Sequence, residues 1–146
     1  MKTLKKLFDP GSTDTGLLFI RVALGLLMLT HGLPKFAKFF TDEPIAFASV
    51  FGMSQSLSLG LAVTAEVFCP ILIVLGLGTR LASLPVAFTM AVAAFNVHFA
   101  DPFATKELAI LYLVGFVFIA LVGPGKYSVD YFLTKARPKK IPIEIA

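Results

Sequence analysis

Charged residues and cysteines are scarce in this chain. Only 15% of the 146 residues are charged and 57% are hydrophobic, which is not the balance of a soluble domain of this length. The single cysteine, Cys69, excludes an intramolecular disulfide and a C-x-x-C redox pair within one chain. This composition indicates an integral membrane protein, without room for a separate soluble domain.

Long apolar runs organise the chain. About 20 residues are needed to cross about 30 Å of hydrocarbon, and four stretches approach that length: 16–33, 57–77, 81–100 and 107–122. Pro34 is expected to end the first helix, because proline lacks an amide donor and disfavours helical geometry in the residue before it. The predicted fold is all-α: a polytopic membrane protein with a four-helix transmembrane bundle.

A Phe-rich segment, Lys35–Ser56, separates the first two spans. It holds five phenylalanines among charged and small polar residues, too polar to cross a bilayer. The near-helical spacing of some of these phenylalanines fits a short amphipathic helix lying in the interface. A Phe-rich cap over the outer end of the bundle fits equally well, so both interpretations stay open.

Lysine and arginine are distributed unevenly about the four spans, and this asymmetry predicts orientation. One side of the bundle receives nine cations: Lys2, Lys5, Lys6, Arg80, Lys126, Lys135, Arg137, Lys139 and Lys140. The other side receives three: Lys35, Lys38 and Lys106. Both termini are therefore predicted to be cytoplasmic, with a basic tail over residues 126–146. Beside a bilayer, these cations are expected to meet anionic lipid headgroups rather than nucleic acid.

Glu66 is the strongest candidate for a functional residue. It is the only charged residue between Leu57 and Leu77, and a carboxyl group at that depth is costly unless it is paired or serves a function. Arg21, within the first span, is the predicted ion-pair partner; the alternative is that Arg21 snorkels to the headgroups. Arg21 shares a helix face with Gly25, Met28 and Gly32, so that face should pack on protein.

Further polar residues are expected to surround Glu66 in the outer half of the bundle. His31, Asn96 and Glu107 are, with Glu66, the candidate ligand or proton-exchange site. Asn96 and His98 lie about 200° apart on an ideal helix, and Asn96 is the one expected to face inward.

Pro70 affects the same place. It cannot donate to the carbonyl of Glu66, four residues earlier, and so predicts a kink beside the acid.

Three kinds of chemistry suit such a set: binding and proton exchange with a quinone, a haem or metal site, and a solute path. Haem is disfavoured because His98 is expected to face away from the interior, and no spacing typical of haem ligands is present. His31, Glu66 and Glu107 lack the spacing of metal ligands. A solute path through one four-helix protomer would require a homo-oligomer.

Four sequence features together resemble the DoxX family. They are H-G-x-x-K at His31, Gly32 and Lys35; the intramembrane Glu66; L-G-x-x-T-R-L at residues 75–81; and G-P-G-x-Y-S-x-D at residues 123–130. A small Gly-Gly pair commonly follows the acid in that family, whereas Cys69 and Pro70 stand here.

The resemblance implies a bacterial inner-membrane subunit of a redox or quinone-linked system, with a quinone as candidate ligand and a redox protein as candidate partner. The alternative is a non-catalytic anchor or scaffold for a partner protein, in which Arg21 and Glu66 only fix helix register.

Overall fold

The structure is a computed structural model and describes residues 10–135. Four long helices follow one another: α1 (Pro10–Ala37), α2 (Gln55–Leu75), α3 (Thr79–Val97) and α4 (Phe103–Val122). A short helix, α5 (Val129–Lys135), follows the fourth. Each long helix is long and apolar enough to cross a membrane, which confirms the all-α, four-span prediction. The predicted basic residues before Pro10 and after Lys135 lie outside the described part of the chain.

The prediction that Pro34 ends the first helix is wrong. Helix α1 continues through Pro34 to Ala37, and a 3₁₀ turn extends it over Lys38–Phe40. A proline inside a helix removes one backbone hydrogen bond, which membrane-spanning helices tolerate when nearby groups compensate. Lys35 therefore belongs to α1 and lies on the same face of the helix as its buried residues.

That buried face is the predicted row of Arg21, Gly25, Met28 and Gly32. Arg21 and Met28 are buried, and Gly25 packs against the side chain of Val74 in α2. Met28 joins a core that also includes Cys69, Ile73, Val86 and Phe116, so Cys69 is a packing residue. The small residues of α1 thus let α2 approach closely, as small residues do between membrane helices.

Two of the spanning helices contain a π-helical turn, at Thr64–Phe68 in α2 and at Ala93–Val97 in α3. In α3 the amide of His98 donates to the carbonyl of Ala93, five residues earlier, at 3.0 Å. A π turn inserts one residue into the helical repeat, so the residues after it face about 100° away from where an ideal helix would place them. The turn in α3 is the last part of that helix, whereas the turn in α2 lies near the middle of its helix.

The Phe-rich segment follows the cap interpretation. After the 3₁₀ turn, residues 41–54 form no helix. One hydrogen bond, from Lys38 Nζ to the Ala46 carbonyl at 2.9 Å, lies within the segment. Another, from the Val50 amide to Ser58 Oγ at 3.3 Å, fastens the segment to α2. Ile45 and Phe47 pack on a buried cluster of Leu59, Val63 and Val67. The segment therefore covers the end of α2.

At the opposite end of the bundle, the chain after α4 packs on the α2–α3 hairpin. The amide of Asp130 donates to the Gly76 carbonyl at 2.8 Å. The Asp130 carboxylate accepts the amides of Gly78 at 2.7 Å and Thr79 at 2.9 Å, at the start of α3. The first part of the predicted tail, residues 126–135, is therefore folded against the bundle.

Asp130 should make stability depend on pH. Burial raises the pKa of its carboxyl, but the amides of Thr79 and Gly78, the Thr79 side chain and the positive charge of Arg21 together outweigh burial, so the pKa lies below the ordinary 3.8. A carboxyl with a lowered folded-state pKa stabilises above its unfolded pKa, and this contribution is lost as pH falls through the folded pKa.

We expect Asp130→Asn to lower the free energy of unfolding by about 1–2 kcal/mol at neutral pH, since charged acceptors form the stronger hydrogen bonds. The loss should shrink at acid pH, as measured by thermal unfolding in detergent from pH 7 to low pH. Asp42→Asn, at an exposed position, is the control. A loss of equal size at every pH would contradict the assignment.

Candidate functional site

Glu66 and Lys35 form an ion pair inside the bundle. Lys35 Nζ, from the end of α1, lies 2.5 Å from Oε1 and 2.6 Å from Oε2 of Glu66, in the π turn of α2. The Glu66 side chain is 1% exposed and that of Lys35 is 31% exposed. A buried carboxylate requires a cation or several donors to offset its lost hydration, and Lys35 supplies the cation.

The predicted pair of Arg21 with Glu66 is wrong. Arg21 donates from Nη1 to the Pro124 carbonyl at 3.1 Å and from Nη2 to the Tyr127 carbonyl at 2.7 Å. It packs against Gly76, which is about 15 Å along α2 from Glu66 at a rise of about 1.5 Å per residue. Arg21 is 2% exposed, so it does not snorkel to the headgroups either; it holds the turn after α4.

Gly32 fixes the position of Glu66 against α1. A Cβ at Gly32 would overlap the carbonyl oxygen of Glu66, and it would lie 2.8 Å from Cγ2 of Val67. Pro70 leaves the Glu66 carbonyl without its usual amide donor. That carbonyl therefore packs against α1 at Gly32, where there is no side chain. Close packing beside the acid thus comes from a glycine on α1, although α2 has Cys69 and Pro70 after Glu66.

The ion pair lies on the wall of a cavity of about 550 Å³ beneath the Phe-rich segment. Its walls come from the end of α1, from the Phe-rich segment and from facing parts of α2 and α3, and most of the lining is apolar. Phe47 is one lining residue, and its ring centroid lies 5.9 Å from Lys35 Nζ, within reach of a cation–π interaction.

The structure brings only Glu66 of the predicted site residues to this cavity. His31 is exposed, and its ring packs edge-on against Tyr112 with centroids 5.5 Å apart. Glu107 is exposed near the start of α4. Asn96 is exposed as well, so the prediction that it faces inward is wrong. The π turn explains this error, since the 100° rule holds only for a regular α-helix.

His98 takes the place that Asn96 was expected to hold, and it lines the cavity. Its Nδ1 lies 2.6 Å from Oδ2 of Asp101. Lys35 and His98 are thus the two ionisable cavity residues missing from the predicted site. The row of residues from Arg21 to Gly32 continues to Lys35, three residues later on the same face of α1. The sequence therefore contains the signal for Lys35, which is missed when the helix is expected to end at Pro34.

The cavity contains donors and acceptors suited to an organic ligand. Within residues 10–135 no three His, Cys, Asp or Glu side chains converge as metal ligands would. The polar groups at the wall are an ammonium, a carboxylate, an imidazole and a few hydroxyls, including those of Thr64 and Thr89. Such a wall provides directional hydrogen bonds in otherwise apolar surroundings, as small-molecule sites commonly do.

The fold and this site define a polytopic membrane protein in which a lysine pairs with a buried glutamate at a ligand-sized cavity. The DoxX family model matches residues 16–99, and the chain belongs to that family.

Several curated relatives match most of the chain. "Inner membrane protein YphA" of Escherichia coli is 33% identical, over 89% of this chain and 99% of its own. "Putative oxidoreductase CatD" of Bacillus subtilis is 28% identical, over 86% and 92% of the two chains. An "Uncharacterized protein" of Haemophilus influenzae is 32% identical, over 78% and 87%. No solved structure matches the chain significantly. These relatives support a multi-pass location in the inner membrane.

A double-mutant cycle tests the ion pair. We expect Lys35→Met and Glu66→Gln each to lower the free energy of unfolding by about 2–4 kcal/mol, because each leaves a buried charge or polar group without its partner. The double variant should lose at least about 1 kcal/mol less than the sum. The same cycle with Arg21→Met and Glu66→Gln should be additive. Thermal unfolding in detergent measures both cycles. Coupling between Arg21 and Glu66, together with additive losses for Lys35 and Glu66, would contradict the Lys35 pair and support the Arg21 pair.

A second prediction concerns the contact of α1 with the Glu66 carbonyl. Gly32→Ala should lower stability by about 1–3 kcal/mol, since an added methyl group forces closely packed helices apart. Gly60→Ala is the matched control, because a Cβ at Gly60 meets no atom within 4 Å. Equal melting temperatures for the two variants would show that α1 and α2 are not in close contact at Glu66.

Proposed function

We propose that this protein is an integral membrane subunit of a redox or quinone-linked system, and that it binds a quinone in the cavity beside Lys35 and Glu66. The observation that carries the proposal is the ion pair of the buried Glu66 with the partly exposed Lys35, on the wall of an apolar, ligand-sized cavity. Charged side chains within membrane-spanning helices usually mark functional sites. A pair needed only for stability would not require a cavity next to it.

The cavity suits a ligand that is dissolved in the bilayer. Leu61 of α2 and Phe88 of α3 line it and are 52% and 63% exposed. Both lie within spanning helices, so their exposed surfaces face acyl chains. A lipid-soluble molecule therefore has an apolar route from the bilayer between α2 and α3, and a quinone with a hydrocarbon tail has that solubility.

The charges at the wall favour a neutral ligand with oxygen atoms. Lys35 and Glu66 neutralise one another, so the site offers no net charge to attract an anion. An ammonium group has three N–H donors, and the two carboxylate oxygens of Glu66 use two of them. The third donor is left for a carbonyl or hydroxyl oxygen of the ligand. The rings of Phe47, Phe51 and Phe88 provide aromatic lining for the ligand ring.

The family supports this proposal at a coarser level. One relative carries the word oxidoreductase in its name, which is consistent with a redox role for this chain. A redox protein that exchanges electrons with the bound quinone is the partner we propose. The cation asymmetry of the sequence favours cytoplasmic termini, and it therefore supports a cavity in the outer half of the membrane.

Binding of a decyl-benzoquinone to the purified protein tests the proposal. Isothermal titration calorimetry in detergent should show saturable binding, and Glu66→Gln should weaken it about tenfold, a change of about 1.4 kcal/mol. Glu107→Gln removes an exposed carboxylate at the same end of the bundle and should leave the affinity unchanged. Absence of binding by the folded native protein would reject the quinone site and favour a scaffold.

A further inference from the structure

His98 gives the cavity a second polar wall. Its ring lines the cavity, while 38% of its side chain is exposed. Lys35 and Glu66 reach the cavity from α1 and α2, whereas His98 reaches it from the end of α3. A ligand in the cavity therefore meets polar groups from two separate parts of the bundle, with apolar lining between them.

Asp101 determines which nitrogen of the neutral His98 ring carries the hydrogen. Nδ1 lies 2.6 Å from Oδ2 of Asp101, and a carboxylate only accepts hydrogen bonds. Nδ1 therefore carries the hydrogen. In the neutral ring, Nε2 is then an acceptor, and no residue from 10 to 135 occupies it through a hydrogen bond given by the structure. An acceptor at this position binds a hydroxyl group and offers nothing to a carbonyl oxygen.

We propose that His98 Nε2 accepts a hydrogen bond from the second hydroxyl of a ring with two oxygen substituents, whose first oxygen contacts Lys35 and Glu66. The ligand class is a hydroquinone with an apolar tail, so the cavity prefers the reduced form of a quinone. This inference rests on the proposed function and adds a residue and a redox preference to it. Asp101 is a positioning residue that acts through the His98 ring.

Two tailed ligands separate the two contacts. Decyl-hydroquinone, kept reduced under anaerobic conditions, has two hydroxyl groups, and para-decyl-phenol has one. We expect His98→Ala to weaken binding of the hydroquinone about 5–10-fold and to change binding of the phenol less than twofold, as expected for the loss of one hydrogen bond. The native protein should also bind decyl-hydroquinone more tightly than decyl-benzoquinone.

The chain supplies a matched control, because it contains only two histidines. His31 lies at the same end of the bundle but packs on Tyr112 outside the cavity, so His31→Ala should leave both affinities unchanged. Unchanged melting temperatures would confirm that both variants fold. Nitrogen-15 NMR of the His98 ring reports the tautomer: Nδ1 should carry the hydrogen in the native protein, and Asp101→Asn should shift this preference.

The possible results have distinct meanings. If His98→Ala weakens both ligands equally, or neither, the two-point contact is overturned while the quinone site stands. If Nε2 carries the hydrogen of the neutral ring, the preference for a hydroxyl is overturned. If none of the ligands binds the folded native protein, the proposed function fails and this inference fails with it.

Discussion

A carboxylate buried among membrane helices requires a cation or several hydrogen-bond donors close by. Lys35 supplies that cation to Glu66, at the end of the bundle under the Phe-rich segment. Glu66 is 1% exposed, and without Lys35 its charge would have no partner in surroundings of low dielectric constant. The pair requires that α1 stay helical past Pro34, since only then does Lys35 share the buried face. It also requires Gly32, because a larger residue would push α1 away from the Glu66 carbonyl.

Two cations on one face of α1, the buried Arg21 and the partly exposed Lys35, serve different ends of the molecule. Arg21 and Lys35 lie about four helical turns apart, which places them on similar faces. Arg21 donates to backbone carbonyls of the turn after α4 and so fastens that turn to α1. Two of the motifs that mark the family, around Gly76 and around Asp130, meet there. The contacts at the Arg21 end hold elements of the fold together, whereas the Lys35 end contains a cavity.

The four spans, the buried face of α1 and the position of Glu66 inside a spanning helix could be read from the sequence, because composition and helical periodicity determine them. The site around Glu66 could not be read in full. Treating Pro34 as a helix end removed Lys35 from α1 and left Arg21 as the apparent partner. The π turn at Ala93–Val97 changed the direction of Asn96 and His98. No local sequence pattern predicts that turn, because tertiary packing offsets its free-energy cost.

The central claim, that Glu66 is an ionised carboxylate held by Lys35, is tested most directly by infrared spectroscopy of the purified protein. The difference spectrum between the native protein and Glu66→Gln at neutral pH should show the loss of a carboxylate band. The same band should shift or disappear in Lys35→Met, while Arg21→Met should leave it in place. If the native spectrum instead contains a protonated carboxylic acid band that Glu66→Gln removes, the ion pair is contradicted.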